Sequence, residues 1–382
     1  MRWRNIKAVL KKEIRELIRD PYSIGTALIL PVVMLLLFGF ALNFEVKNVP
    51  IGVLDQDQTS FSREYIQAFD HSDTFDVAQY VTNAKQLDRL MKEGKIKAGI
   101  IIPPDFTDNL YRARLGTMTS GRKAKVQTLI DGSFSPIASE TINYINAIHN
   151  TQVESLLKKA NIPVDSILPI QIEPRIWYNP SMKSESFIIP GLFAVLLMVF
   201  PPLLSVLAVV REKEKGSIQQ IYIAPIRSIE YLLGKLLPYG ILGFGVLLLI
   251  FIGGKVFFSI DYRGNFLLFL LAGTIYVFTT VGIGLLISTL MEKQLSAMFL
   301  TIVVTMMPAM LFSGFLYPIS TMPKLFQGYS TLFPARFFVD ISRDILVKGL
   351  GLRYVWENLL LLIGYTITII AAAVWRFKKR VG

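Results

Sequence analysis

The residue types that carry most enzyme chemistry are scarce in this chain of 382 residues. It has no cysteine, which excludes disulfides, thiol nucleophiles, cysteine-ligated zinc and iron–sulfur clusters. It has two histidines, His71 in a polar loop and His149 in a helical stretch, and lone histidines are more often structural than catalytic. Asp55 and Asp57, in LDQDQTS, have the outline of a carboxylate cation site, but Asp-x-Asp at a strand end is commoner as turn chemistry. Gly-Lys occurs at Gly94–Lys95, Gly234–Lys235 and Gly254–Lys255. None has glycine five residues before it or Ser/Thr after it, so the phosphate-cradling loop of an ATPase is missing. No catalytic residue, metal ligand or cofactor site is expected in the chain.

The most informative spacing is at 211–227, REKEKGSIQQIYIAPIR. A charged turn is followed by Gly216 and Ser217, which suit a helix start. A short helix over Ile218–Ile223 must end before Pro225. Arg211, Glu212, Glu214, Gly216, Ser217, Ile218, Ile221 and Pro225 are therefore candidates for seating a soluble partner. An ordinary basic loop is the alternative. Residues 312–336 form a second such segment. Phe312, Phe315 and Tyr317 are aromatic, yet Pro318, Pro323 and Pro334 interrupt any helix, and Arg336 follows. Non-helical backbone at membrane depth needs cover from protein or a cavity. The segment reads as a gate or as an interfacial aromatic belt. In a third, Ala297, Thr301, Thr305 and Ala309 recur every four residues, a small-residue stripe on one helix face. It marks a pathway wall, a seam between two copies, or packing within the chain.

These segments must be positioned by membrane helices. Apolar residues make up 52% and charged residues 18%, below the usual quarter of a soluble domain. Six stretches reach the roughly 20 apolar residues a bilayer crossing needs: Ile24–Phe44, Phe187–Val210, Tyr231–Phe258, Phe266–Met291, Leu295–Tyr317 and Tyr354–Trp375. The net charge of +12 could suit nucleic acid, but its distribution assigns it to orientation. Basic residues gather in the N-terminal segment, the 211–235 loop, Lys293 and the tail, which places both termini in the cytoplasm. No nucleic-acid partner is expected. Residues 3–19 alternate apolar and basic residues at helical spacing, as a helix lying on the membrane surface does. Glu45 to Ser186 is nearly neutral and alternates strands (50–55, 75–81, 97–102, 125–131) with helices (60–70, 83–94, 104–114, then 135–160). That pattern makes a small, mostly parallel α/β sheet outside the cytoplasm.

REKEKGSIQQIxIAPI followed by LLGKLLP resembles the coupling segment of type-2 ABC exporter permeases, with Ser217 for their Thr and Ala224-Pro225 for their Ser-Pro. Leu311 to Pro323 (LFSGFLYPISTMP), then Phe333-Pro-Ala-Arg336, Arg343 and Lys348-Gly349, looks like the family's re-entrant outer hairpin. The insert matches its subgroup with a large extracytoplasmic domain. The resemblance implies an α-helical polytopic protein with six transmembrane helices and an inserted extracytoplasmic α/β domain. Its parts would be an interfacial helix at 1–23, the first span at 24–44, the insert at 45–186, five spans at 187–375 and a basic tail at 376–382. The five-span region would carry a coupling helix at 212–226 and an outer hairpin at 318–350.

The implied function is that of a permease subunit in the bacterial inner membrane, exporting a hydrophobic drug, lipid or lipid-linked molecule. Separate ABC ATPase subunits would bind ATP and Mg, a second permease copy or paralogue would complete the pathway, and a periplasmic adaptor could join them. The alternative is a device that ATPases drive to act on an extracytoplasmic partner without transport. A bare cation is a poor fit as cargo, since no acidic cluster lies within the spans. Lys255 and Asp261 are expected to pair across a short turn.

Overall fold

The computed structural model describes residues 3–42, 48–109, 126–131, 135–159 and 183–377. The chain divides into two compact units, Met1–Asn43 with Ile176–Gly382, and Phe44–Arg175.

In the first unit, α1 (Trp3–Arg19) is separated from α2 (Pro21–Ala41) by Asp20, where the following proline disfavours continued helix. The helices α6 (Ser184–Glu214), α7 (Ile218–Ile223), α8 (Ser228–Phe258), α9 (Phe266–Ser288) and α10 (Gln294–Leu311) follow. A 3₁₀ turn (Ile319–Thr321), α11 (Lys324–Ser330), α12 (Pro334–Leu346) and α13 (Leu352–Arg376) complete it. Six of these helices, α2, α6, α8, α9, α10 and α13, are long and apolar enough to cross a membrane. The fifth span ends at Leu311, short of the expected Tyr317. There Gly314 takes a left-handed φ of +82°, which an L side chain resists, and Pro318 bars resumption of the helix.

The helix α6 is the axis of this bundle. Ile188 to Val199 are buried almost throughout. Around it, α2, α10 and α13 keep large apolar side chains outside, such as Ile29, Leu37, Phe299, Met307 and Ile367. The face of α12 that bears Phe338 and Ser342 enters the bundle. Phe338 stacks on Tyr276 with ring centroids 4.3 Å apart, and the Ser342 hydroxyl donates to the Pro190 carbonyl at 2.8 Å.

The second unit holds β1 (Val49–Asp55), α3 (Ser60–Asp70), β2 (Phe75–Tyr80), α4 (Ala84–Lys92), β3 (Ala98–Ile102), β4 (Gln127–Ile130) and α5 (Ser135–Lys159). The sheet order is β2-β1-β3-β4, with β1 parallel to both neighbours and β4 antiparallel to β3. Tyr65, Phe69, Phe75 and Phe106 fill its core with Ile51, Val53 and Ile100. Burying each such side chain stabilises by roughly 1.5–3 kcal/mol. Of the expected helix at 104–114, residues 106–109 are helical and 110–114 lie outside the described residues.

Candidate functional site

The four charged residues 211–214 form the last turn of α6. Successive side chains on a helix diverge by about 100°, so four in a row point in all directions. Here each meets a different element. Arg211 pairs with Asp20, between α1 and α2, at 3.1 Å. Lys213 donates to the Ser288 and Met291 carbonyls at 2.7 and 3.1 Å, capping the end of α9 where the helix dipole favours a cation. Glu214 accepts from the side chain of Gln294 at 2.7 Å and from its backbone N–H at 3.2 Å, at the start of α10.

Glu212 turns inward to a buried ionic clamp. Lys235 of α8 is wholly buried and lies 2.7 Å from Glu13 of α1 and 3.2 Å from Glu212. It also donates to the Ala208 carbonyl at 3.1 Å. Lys12 bonds Glu212 from the other side and lies 3.5 Å from Glu16. The Tyr231 hydroxyl donates to Glu212 at 2.5 Å, and that of Tyr239 to Glu13 at 3.3 Å. Burial pushes the Glu13 carboxyl up, although the Lys235 charge and hydrogen bond oppose it. For Lys12, burial is outweighed by the Glu212 hydrogen bond and nearby carboxylates, and its ammonium is held above the usual range. The carboxylates of Glu13, Glu16 and Glu212 converge within 4.8 Å of one another, and the ammonium groups of Lys12 and Lys235 already lie among them. The backbones of α1 and α8 come close because Gly234 has no side chain; a Cβ there would sit 2.6 Å from that of Val9.

Beyond the clamp, Gly216 takes φ +73° and turns the chain into α7. Ser217 does not cap this helix; its hydroxyl donates to the Glu212 carbonyl at 3.3 Å instead. Ile218 is buried and Ile221 partly so, while Gln219, Gln220 and Ile223 face outward, Ile223 with 83% exposure. Pro225 is exposed, and its carbonyl accepts from Asn5 of α1 at 3.2 Å. Among the predicted coupling residues, then, Glu212 and Ile218 hold α7 in place. The surface it offers is Gln219, Gln220 and Ile223. Phe377 closes the underside by stacking on Tyr231 at 5.1 Å.

At the opposite end of the bundle, Phe312 lies against Phe326, Tyr329 and Phe333 with centroids 5.1–6.1 Å away. Phe315 is buried against Gly191 of α6, and Tyr317 and Pro318 are exposed. Pro334 begins α12 at the first helical position, where its missing N–H costs nothing. Arg336 donates to the Gln327 carbonyl and the Ser330 hydroxyl, tying α12 to α11. Arg343, whose guanidinium lies over the Phe187 ring at 3.6 Å, donates to the Phe187, Gly314 and Phe315 carbonyls at 2.8–3.3 Å. Burial lowers the pKa of Arg343 to about 10.

One expectation narrows and one is corrected. Ala297, Thr301, Thr305 and Ala309 are fully buried within this chain, with Ala297 packed among Val206, Val210 and Ile287. Their hydroxyls bond back along the helix, Thr301 to Ala297 and Thr305 to Thr301, both at 2.7 Å. Of the three readings of the stripe, this burial agrees with packing within the chain. Lys255 and Asp261 are both exposed, and among the described residues no ion pair joins them. Asp55 and Asp57, which have the outline of a cation site, serve the turn into α3. Asp55 accepts from the Asp57 and Gln58 N–H groups and the Ser62 hydroxyl, and Asp57 from the hydroxyls of Thr59 and Thr107. The clamp itself escaped the sequence reading.

The charged turn that ends α6 ties α1, α8, α9 and α10 together beside a short exposed helix, and the six long apolar helices are those of a polytopic membrane protein. A family model described as ABC-2 family transporter protein matches residues 22–375, and the chain belongs to that family, as the membrane-spanning subunit of an ABC transporter. It is 30% identical over 374 residues to the probable multidrug ABC transporter permease YbhR of Escherichia coli (strain K12), covering 98% of each chain. Against the probable multidrug permease YbhS of the same strain it is 28% identical over 379 residues, 99% of this chain and 98% of the relative. The inner membrane transport permease YhhJ, also from that strain, is 24% identical over 393 residues, with coverage of 99% and 98%.

Proposed function

We propose that the chain is the permease half of an ATP-driven exporter in a bacterial inner membrane, moving a hydrophobic or amphipathic molecule such as a drug, lipid or lipid-linked compound. The carrying observation is the exposed face of α7, Gln219, Gln220 and Ile223, set on a clamp that reaches α1, α8, α9 and α10. A push on α7 reaches the bundle rather than bending a loop. Separate ATPase subunits, which bind ATP and Mg, seat on that face. Two permease copies or paralogues pair, through a face other than the buried stripe. The basic end of the bundle lies in the cytoplasm with both termini, by the charge distribution. The insert is then an extracytoplasmic α/β domain, open to an adaptor protein in the periplasm. The names of YbhR and YbhS support a drug-like cargo.

The test is transport into inside-out vesicles containing the chain and its ATPase. Ile223→Asp is expected to abolish ATP-stimulated uptake and ATPase binding while the protein still inserts and elutes as a single species. Unimpaired ATPase binding by that variant would remove α7 as the docking point. Nucleotide-driven movement of the spans with no cargo crossing would overturn the export reading.

A further inference from the structure

The helix α1 is pinned on one side and bare on the other. Ile6, Val9 and Glu13 are its buried residues, held to α8 by the clamp and by the close approach at Gly234. That contact fixes how the helix is turned about its axis, so the remaining side chains fall into sectors at about 100° per residue. Beside the buried side comes an apolar sector, with Leu10 and Leu17 half-buried and Trp3 and Ile14 exposed. A basic sector follows. Lys7, Lys11, Arg4, Arg15 and Arg19 are all exposed there, and Ile18, 70% exposed, stands between Lys7 and Lys11. No acidic residue lies in that sector. Lys12 and Asn5, which bond Glu212 and the Pro225 carbonyl, close the circle with Glu16. Among the described residues, none of the five basic side chains has a hydrogen bond or an ion pair. A helix face made for water commonly balances such charges four residues apart, as the end of α4 does with Arg89–Glu93 and Lys92–Asp88 at 2.7 and 2.6 Å. Orientation of the spans needs cations near their ends, but it does not need them on one helix face with exposed Trp3 and Ile14 alongside. The depth of α1 is set by its partners: Glu212 lies in the last turn of α6 and Lys235 in the first turns of α8, where two spans reach their ends.

We propose that the bare side of α1 binds the headgroups of anionic phospholipids. The apolar sector sets Trp3 and Ile14 into the acyl boundary, and the basic sector beside it meets lipid phosphates at headgroup depth. An acidic soluble protein would answer the charge but leave Trp3, Ile14 and Ile18 in water. A bilayer of neutral lipid would cover those three and leave five cations without counter-charge. A surface holding anionic lipid answers both. Glu13 and Lys12 of the clamp belong to the same helix, so lipid held on the outer side steadies the clamp on the inner side, as any ligand of the folded state does by mass action. The site goes beyond the permease reading: it needs the chain in a membrane, and nothing in it depends on the cargo or on the ATPase.

The test uses the full chain in nanodiscs of phosphatidylcholine, with and without phosphatidylglycerol. Lipids that stay on the protein after transfer to mild detergent are counted by native mass spectrometry. Phosphatidylglycerol should be retained over phosphatidylcholine by about tenfold, and less so at high salt. Lys7→Gln, Lys11→Gln and Arg15→Gln combined should remove most of that preference, whereas Lys7→Arg with Lys11→Arg should keep it. Lys324→Gln with Arg353→Gln, exposed cations at the other end of the bundle, should leave it unchanged. The three α1 side chains make no polar contact to lose, so the triple variant should insert and unfold like the parent in discs without phosphatidylglycerol. Adding phosphatidylglycerol should then raise the unfolding temperature of the parent and not that of the triple variant. No preference for phosphatidylglycerol in the parent, or a preference that the triple variant keeps, overturns the proposal; if the triple variant keeps the preference and loses ATPase binding, the basic sector is a protein-docking face. An unfolding temperature that phosphatidylglycerol leaves unchanged in the parent, or raises equally in both chains, overturns it as well.

Discussion

The two ends of the helical bundle treat charge in opposite ways. At the α7 end, Lys235, Glu13 and Glu212 are buried and answered by one another, with Tyr231 and Tyr239 completing the shell. At the hairpin end, Arg343 is nearly as enclosed, but its hydrogen bonds go to carbonyls, its face lies on an aromatic ring, and the nearby carboxylate of Asp340 meets it through charge alone. Full charge of one sign against full charge of the other fixes a geometry, because removing either partner strands the other. A guanidinium on carbonyls has softer alternatives, since water or a neighbouring carbonyl can replace each partner. The first arrangement suits the transmission of force, and the second suits a surface that must exchange partners. Lipid supplies little apolar driving force between helices, so such polar contacts carry more of the architecture than in a soluble domain.

The largest effect should come from breaking the clamp. Lys235→Met leaves Glu13 and Glu212 with only the half-exposed Lys12 as a cation, a loss of about 3–5 kcal/mol. Thermal unfolding in detergent should fall accordingly, and Glu13→Gln added to Lys235→Met should recover part of it. At the other end, Arg343→Met should cost about 1–3 kcal/mol, since its hydrogen bonds go to neutral carbonyls and Asp340 keeps Arg336 and Lys348 nearby. Equal losses at the two sites would erase the distinction between the ends.

Coupling comes next. Gly216 holds φ +73°, and proline is locked near −65°, so Gly216→Pro must redirect α7. ATPase stimulation is expected to vanish while insertion survives. Full transport by a stably inserted Gly216→Pro chain would detach α7 from the clamp's function. Ile218→Asp should destabilise the bundle, whereas Ile223→Asp should not, because only Ile218 is buried.

The hairpin end should move where the clamp does not. The chain has no native cysteine, so single cysteines report cleanly. Tyr317→Cys is expected to label in every state. Phe315→Cys, from a residue 1% exposed, should label only when nucleotide changes the bundle. Labelling at position 315 that ignores nucleotide would make this end as fixed as the other. The small-residue stripe belongs with the fixed parts. Thr305→Trp should destabilise by overpacking, by about 1–3 kcal/mol, while Thr305→Ser is tolerated.

Much of this architecture is legible in the sequence, because hydropathy over a helix-length window needs no tertiary knowledge. The six spans, α1, the short α7 and the alternation of strands and helices in the insert follow from local pattern. The partners of a pattern do not. The stripe on α10 announces a close contact, but its spacing does not say with what, and α6 of the same chain provides it. The clamp joins residues 222 positions apart, which no local window connects. One signal was present. Glu13 lies on the same helical face as Ile6 and Val9, and those three are the buried residues of α1. A carboxylate on the apolar stripe of an amphipathic helix needs a buried cation, and Lys235 in the first turns of a span needs an anion.

The smallest effect should appear where a lone titrating group has no charged partner. His149 of α5 bonds the Tyr65 hydroxyl at 3.0 Å, and burial lowers its pKa below the ordinary 6.5. Between that lowered value and 6.5 the unfolded chain binds more protons than the folded one, so stability rises with pH through that interval. It is fully present above 6.5 and lost as the solution is acidified toward the folded value. Hydrogen exchange of amides in β3 and α5, measured on the full chain, should therefore show weaker protection at the acid end of the window. His149→Gln, compared with the parent chain at each pH to cancel intrinsic exchange rates, should flatten the difference. The clamp offers the contrast. There each ionised group already has its counter-charge, so mild acid should leave α1 and α8 protected while the insert loosens. Loss of protection in α1 over the same window would place a titrating weakness in the clamp, and the two kinds of charge handling would no longer separate.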